Sequence, residues 1–125
     1  MPVPAEKVWD AVRDFGAVHE RLVPGVLTDG HLDGAGGRVV TFATGTVVRE
    51  VLVGVDDEVR RMVYAVVESP FGFQHHSSSI EVFDDAGETD GCRLVWVSDV
   101  LPDTLAGPVG DLMDQGAAAM AKTLG

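Results

Sequence analysis

Apolar residues near the start of the chain recur at the spacing of a helix. They are Val8, Trp9, Val12 and Phe15. Residues three or four positions apart share one helix face, and proline is favoured in a first turn, so a short amphipathic helix is expected to begin near Pro4. A second helical turn is expected over residues 18–22, before Pro24 and Gly25 interrupt it.

The middle of the chain alternates apolar, often β-branched, residues with polar ones. Short turn-forming stretches separate these runs, namely Asp33-Gly34, Gly45, Asp56-Asp57, Ser69-Pro70 and Ala86-Gly87. Consecutive strands joined by short turns are typical of an antiparallel meander. The predicted strands cover residues 26–32, 38–43, 46–55, 59–67, 73–83 and 92–101.

The helical period returns in the last part of the chain. Its apolar stripe consists of Leu105, Val109, Leu112, Met113, Gly116 and Met120. Pro102-Asp103-Thr104 is a start signal, and Gly107 weakens the first turn, so the regular helix is expected from Pro108. The chain is thus predicted to be one α+β domain over residues 1–125, in which a curved antiparallel sheet of about six strands wraps around a long C-terminal helix.

Composition narrows the classes of partner. The chain has 125 residues, of which 46% are hydrophobic, and a net charge of −11, which disfavours nucleic acid and anionic membranes. No apolar run reaches the roughly 20 residues that span a bilayer, and the first residues lack an export signal. The single cysteine, Cys92, cannot form an internal disulfide, which suits the cytoplasm.

Three short motifs appear in a characteristic order. They are Pro4-Ala5-Glu6-Lys7-Val8-Trp9, then Arg49-Glu50-Val51-Leu52 leading to Asp56-Asp57, and Trp96 followed six residues later by Pro102. In this order the chain resembles, over nearly its whole length, the START-like helix-grip superfamily, in its polyketide cyclase/dehydrase and lipid-transport branch. The resemblance implies a hydrophobic cavity between sheet and C-terminal helix for sterols, lipids, plant hormones or polyketides, sometimes used for cyclisation or dehydration.

The sequence departs from this family at its first residues. Relatives usually carry a β-strand before the first motif, whereas only residues 1–3 precede it here. Either the translation start is assigned late or the sheet has lost an edge strand. A missing edge strand leaves backbone groups unpaired, which predicts a partner strand or a homodimer contact.

Strand alternation assigns the adjacent histidines His75 and His76 to opposite faces. His76 and Ser78 share parity with Ile80, whose apolar side chain is expected inside. His76 is therefore predicted to face inward and His75 outward.

Alternation leaves Glu50 undecided, and the resemblance implies that it faces inward. The expected cavity wall consists of Leu52, Tyr64, Val66, Ile80, Trp96, Leu112 and Met113, with Ser78 adding polarity. Glu50 and His76 are the expected polar anchors, and residues 69–73, with two phenylalanines around a glycine, are the expected lid.

The favoured function is binding of an apolar, partly oxygenated small molecule that is polyketide, lipid or terpenoid-like. In this interpretation Glu50 and His76 satisfy each other or bind water. The alternative is a cyclase or dehydratase in which they form an acid–base pair and Tyr64 holds a carbonyl oxygen. A third class is an interaction module working through the outer sheet face, at Val51, Val53, Val63 and Val67.

No cofactor or metal is expected. The four histidines lack zinc-binding spacing, and the lone cysteine adds no ligand pattern. The glycine-rich stretch 33–37 precedes a strand instead of a helix, which indicates a hairpin turn and not a phosphate-binding loop.

Overall fold

The computed structural model describes residues 1–85, 87 and 90–125. Helix α1 covers Ala5–Arg13, a 3-10 turn covers Phe15–Ala17, and helix α2 covers Val18–Arg21. The strands are β1 (Leu27–Leu32), β2 (Gly37–Phe42), β3 (Val47–Asp56), β4 (Arg61–Glu68), β5 (His75–Asp84) and β6 (Cys92–Leu101). A second 3-10 turn over Asp103–Leu105 leads into helix α3 at Ala106–Leu124.

The strands form one antiparallel sheet in chain order, so β1 and β6 are its edges. This arrangement, with short N-terminal helices and a long C-terminal helix, confirms the predicted α+β helix-grip class. Two strands begin two residues later than the alternation predicted. Residues 57–60 form the turn before β4, and β5 begins at His75, which leaves Phe73 in the preceding loop. Of the predicted turn at Ala86-Gly87, Ala86 lies outside the described residues.

Helix α1 packs its apolar stripe against the sheet. Val8 and Val12 are fully buried and Trp9 is nearly so. The indole Nε1 of Trp9 donates a hydrogen bond to Asp57 Oδ1 at 2.9 Å, and Arg13 Nε donates to the same oxygen at 2.8 Å. The turn between β3 and β4 is therefore attached to α1, and Trp9 belongs to the core, as its place on the helical stripe predicted.

One face of the sheet supplies most of the core. Alternate residues of the central strands, such as Val48, Met62, Ile80 and Val82, are at most 3% exposed. The opposite face keeps large apolar side chains in solvent, with Val53 63% and Val67 49% exposed. Because successive residues of a strand point to opposite faces, this difference fixes which side the helices cover.

Helix α3 contacts the sheet closely only in its C-terminal half. Its buried residues are Gly116, Met120 and Leu124, and none of residues 106–115 is buried. A Cβ atom at position 116 would lie 2.9 Å from Cζ3 of Trp96. Glycine at this position thus allows the helix to approach the indole ring, while the N-terminal half of α3 stands further off.

The first residue pairs with the edge strand β6. The amino group of Met1 donates to the Cys92 carbonyl at 2.8 Å, and the Cys92 N–H donates to the Met1 carbonyl at 2.9 Å. Within the described residues, no helix has the length and apolarity that crossing a membrane requires.

Substituting Gly116 tests whether the contact with Trp96 limits the approach of α3. Gly116→Ala is expected to lower the free energy of unfolding by about 1–3 kcal/mol, because overpacking against the ring outweighs the gain in helix propensity. Gly110→Ala is the matched control, because a Cβ atom at this position would meet nothing within 4 Å outside the local helix backbone. This substitution should therefore raise the free energy of unfolding by up to about 1 kcal/mol. Urea denaturation of both variants measures this, and equal stabilisation would contradict the tight contact.

Candidate functional site

A cavity of about 140 Å³ lies between the sheet and the N-terminal half of α3. Its wall is mostly apolar, with side chains from α2, all six strands and α3. Most of the residues predicted for the wall or as anchors line it. They are Glu50, Tyr64, Val66, His76, Ser78, Ile80, Trp96, Leu112 and Met113. His75, in contrast, is exposed.

Leu52 does not line the cavity, which corrects the prediction for this residue. It pairs with Tyr64 across β3 and β4, but it is 38% exposed and lines an outer groove with Phe15 and Gly16. The buried Phe15 ring lies against Arg38, which does line the cavity. The family resemblance assigns Leu52 to the cavity face together with Glu50, but it carries no information about which part of that face the N-terminal helices occupy.

Arg38 is the partner of Glu50. Its Nε donates to Glu50 Oε1 at 2.8 Å, and the two side chains are only 4% and 12% exposed. The pair therefore forms in a largely desolvated place, where an uncompensated charge would be strongly unfavourable. Glu50 is thus neutralised by an arginine that sequence reasoning did not single out.

Aromatic and backbone groups hold the Arg38 guanidinium in place. It lies 4.0 Å from the centre of the Phe15 ring and 5.0 Å from that of Tyr64, and its Nη1 donates to the Phe15 carbonyl at 3.1 Å. The sequence contained a signal for this site. Arg38 shares parity with the buried Val40, and a β2–β3 turn around Thr44 sets Arg38 directly opposite Glu50.

His76 is held by hydrogen bonds on both ring nitrogens. The Val66 backbone N–H donates to Nδ1 at 3.0 Å, so the ring proton of the neutral imidazole lies on Nε2. Nε2 is 3.2 Å from the Ser78 hydroxyl, which is 2.6 Å from the Ser98 hydroxyl. We call this series, from the Val66 N–H through His76 and Ser78 to Ser98, the donor chain.

The surroundings keep the His76 ring neutral. Burial is the main cause that lowers the pKa of His76 below its usual 6.5, and the charge of His75 lowers it further, against the opposing charge of Glu50. A second proton would have to bind Nδ1, where it would face the Val66 N–H donor and break that hydrogen bond. The hydrogen bonds found for Glu50 and for His76 lead to other groups, so the two predicted anchors are neighbours in the cavity wall and not a hydrogen-bonded pair.

Tyr64 and Trp96 form a second polar contact on the wall. The Trp96 Nε1–H donates to the Tyr64 hydroxyl at 3.1 Å. Burial, and then the charge of Glu50, raise the pKa of Tyr64 to about 12, so its hydroxyl keeps its proton at neutral pH. This phenol can therefore donate a hydrogen bond but does not act as a base.

The loop before β5 places two phenylalanines at the cavity. Phe71 and Phe73 both line it, and their ring centres are 5.9 Å apart. Phe71 also meets Phe42 edge-on at 6.4 Å, and Phe73 lies 5.1 Å from the His76 ring. The loop predicted as a lid thus supplies part of the aromatic wall beside the donor chain.

The arrangement offers hydrogen bonds more readily than proton transfer. His76 Nδ1 accepts a backbone N–H and Nε2 carries the proton, so neither nitrogen has a free lone pair for a ligand. Glu50 is bound to a guanidinium. In the part of the chain that the structure describes, no group of three or more His, Cys, Asp or Glu side chains could hold a metal ion.

Comparison with known proteins gives a family match over the whole chain. Residues 1–125 match the family described as polyketide cyclase / dehydrase and lipid transport. A search of curated proteins finds no match. Among solved structures, a Thermobifida fusca protein studied by NMR in solution is 30% identical, with a TM-score of 0.79, and the match covers 99% of this chain and 85% of that one.

Two more distant structures share the fold. The Bacillus cereus protein XoxI is 18% identical with a TM-score of 0.88, covering 99% of this chain and 89% of that one. A point mutant of norcoclaurine synthase from Thalictrum flavum, in complex with a transition state analogue, is 21% identical with a TM-score of 0.69, covering 98% and 87%. At these identities the likeness shows the helix-grip fold alone.

The lowered pKa of His76 predicts a contribution to acid sensitivity. The unfolded chain takes up a proton on this residue near pH 6.5, whereas the folded protein does so only at lower pH. The free energy of unfolding should therefore fall as the pH drops from about 6.5 through the folded pKa. His76→Asn should show a smaller fall in urea denaturation between pH 7.5 and 5.0, while a His75→Asn control keeps most of the fall, because burial and not the charge of His75 is the main cause of the lowered pKa. Identical pH dependence in His76→Asn and the unaltered protein would contradict this.

Proposed function

This chain belongs to the polyketide cyclase / dehydrase and lipid transport family, as its motifs predicted, and on that basis we propose that it binds an apolar, partly oxygenated small molecule in the cavity beneath α3. The carrying observation is a mostly apolar cavity of about 140 Å³ with a few convergent polar groups. Such a combination is typical of small-molecule sites, where apolar walls supply affinity and polar groups fix orientation.

Glu50 and His76 are the proposed polar anchors for the oxygenated part of the ligand. Glu50 presents a carboxylate beside Arg38. His76 donates its Nε2 proton to Ser78 within the donor chain that ends at Ser98. A polar ligand group that enters an apolar cavity loses its water, so an unmatched group costs about 1–3 kcal/mol. The ligand class is that named from the sequence, namely a polyketide, lipid or terpenoid-like molecule.

Catalysis by a Glu50–His76 acid–base pair is the second candidate. It is favoured by one observation, that the carboxylate and the imidazole line the same cavity. It requires one of them to exchange its hydrogen bonds, since Glu50 is bound to Arg38 and both nitrogens of His76 are engaged. Binding needs no such exchange and is therefore the first proposal.

A neutral naphthalene dye tests the cavity. We expect one dye per chain, and Tyr64→Ala or Leu112→Ala should change its affinity several-fold because both side chains are proposed wall residues. Phe83→Ala, on the opposite face of β5, is the matched control. Dye titration of variants that keep their circular dichroism spectrum measures this. Equal dye affinities in all variants would contradict the proposal that the dye binds in this cavity.

Native mass spectrometry of the protein purified from its own host identifies a retained natural ligand. With that ligand, catalysis can be distinguished from binding. Loss of turnover in Glu50→Gln or His76→Asn with binding preserved favours the enzyme, and loss of binding alone favours the carrier.

The proposed place of action is the cytoplasm. The single cysteine, Cys92, is buried within the core, so the fold relies on packing and not on a disulfide. This is compatible with a reducing compartment.

We also propose self-association through the outer face of the sheet, beside the edge strand β6. Val97 and Leu101 of β6 are each 47% exposed, which is unusual for large apolar residues in a strand. An edge strand can pair with the same strand of a second copy around a two-fold axis. The occupant is therefore proposed to be a second copy of this chain.

Sedimentation velocity tests this association. Val97→Lys should shift the protein towards monomer, because it places a charge in the proposed contact. Val59→Lys is the control, since Val59 is 54% exposed in the turn before β4. A monomer at every concentration, at both low and high salt, would exclude the dimer.

A further inference from the structure

The donor chain has one more N–H or O–H proton than it has internal hydrogen bonds. Its donors are the Val66 N–H, the His76 Nε2–H and the two serine hydroxyls, and they form three hydrogen bonds. One hydroxyl proton is therefore left over, whichever way the hydroxyls rotate. Tyr64 and Trp96 add two donors and one hydrogen bond, so they do not remove this surplus.

One of the two possible directions of the Ser78–Ser98 hydrogen bond leaves the surplus proton on Ser98, and an acceptor group in the cavity favours that direction. Because the Val66 N–H fixes the His76 tautomer, Ser78 accepts from Nε2 and its own proton is free to bind Ser98 at 2.6 Å. Ser78 is 1% exposed, whereas Ser98 is only half-buried and lines the cavity. The accessible end of the chain is thus a hydroxyl that can donate into the cavity when Ser78 donates to it.

The charges around the cavity disfavour an anionic ligand. Of the described residues that line it, Arg38 is the one with a permanent positive charge, and Glu50 matches that charge at 2.8 Å. His76 is held neutral by its hydrogen bonds. A ligand carboxylate would lose its water, meet no free cation and lie near the Glu50 carboxylate, which is unfavourable in an apolar cavity.

The free volume limits the size of the ligand. A cavity of about 140 Å³ is close to the roughly 150 Å³ of an apolar protein cavity that takes up benzene. One ring with a small substituent therefore fits without movement of α3.

We infer that the cavity selects a neutral, one-ring-sized molecule whose oxygen is a carbonyl-type acceptor, and that Ser98 is the residue that determines this selectivity. The inference rests on the proposed function and adds the chemical class of the ligand. A carbonyl oxygen accepts the surplus proton of the donor chain and brings no proton of its own, so both sides are satisfied. A hydrocarbon of the same size leaves that proton unpaired.

Three one-ring probes test this in calorimetric titrations: acetophenone, ethylbenzene and benzoate. Acetophenone should bind about tenfold more tightly than ethylbenzene, the change expected for one well-formed hydrogen bond. Benzoate should bind at least about tenfold more weakly than acetophenone, because its charge is unmatched. Equal affinities for the ketone and the hydrocarbon, or tightest binding of benzoate, would overturn the inference.

Ser98→Cys isolates the role of the hydroxyl. A thiol nearly preserves the volume and still covers Ser78, but it is a weak donor. Acetophenone should lose about five- to tenfold in affinity, while ethylbenzene changes less than about twofold. Ser77→Cys, on the opposite face of β5, is the matched control and should change neither affinity.

The outcomes separate this inference from the proposed function. If the folded protein binds neither acetophenone nor ethylbenzene, the proposed function fails together with the inference. If both bind and Ser98→Cys weakens both equally, the binding function stands and the assignment of Ser98 is wrong.

Discussion

The buried guanidinium of Arg38 connects the parts of the structure on which the cavity depends. It joins β2 to β3 through Glu50, contacts Tyr64 on β4, lies over the Phe15 ring and donates a hydrogen bond to the Phe15 carbonyl in the 3-10 turn after α1. Removing one member of such a pair leaves a buried charge, at about 3–5 kcal/mol. The end of the cavity nearest the N-terminal helices is therefore closed by a polar contact whose disruption costs several kcal/mol of stability.

The polar groups of the wall differ in what they leave free. Arg38 and Glu50 largely satisfy each other, whereas the donor chain from Val66 to Ser98 has one more proton than it has internal hydrogen bonds. A backbone amide contributes to this imbalance, because it fixes the His76 tautomer and so makes Ser78 the acceptor of the Nε2 proton. One β4 peptide group thereby influences what a hydroxyl on β6 can recognise.

Helix α3 divides into two halves with different roles. Gly116 and Met120 hold the C-terminal half against the sheet, and Leu112 and Met113 of the looser half line the cavity. A glycine at the closest approach allows contact with Trp96, and the space beneath the rest of the helix remains open. The tight packing at one end of the helix thus depends on one small residue, which also lines the near side of the cavity.

The sequence by itself determined the elements and the faces of strands with a clear alternation, such as β5, whereas the face of Glu50 on β3 was implied only by the family resemblance. Helical and two-residue periods predicted the α+β helix-grip class, and the motifs predicted the family, because burial of one face leaves a periodic trace in any chain. Tertiary structure decided which polar groups meet. The hairpin register sets Arg38 opposite Glu50, and the pairing of β5 with β6 sets Ser78 opposite Ser98. Leu52 is excluded from the cavity because of where Phe15 lies. Alternation gives the face of a residue, but its partners depend on register and helix docking, which a period does not encode.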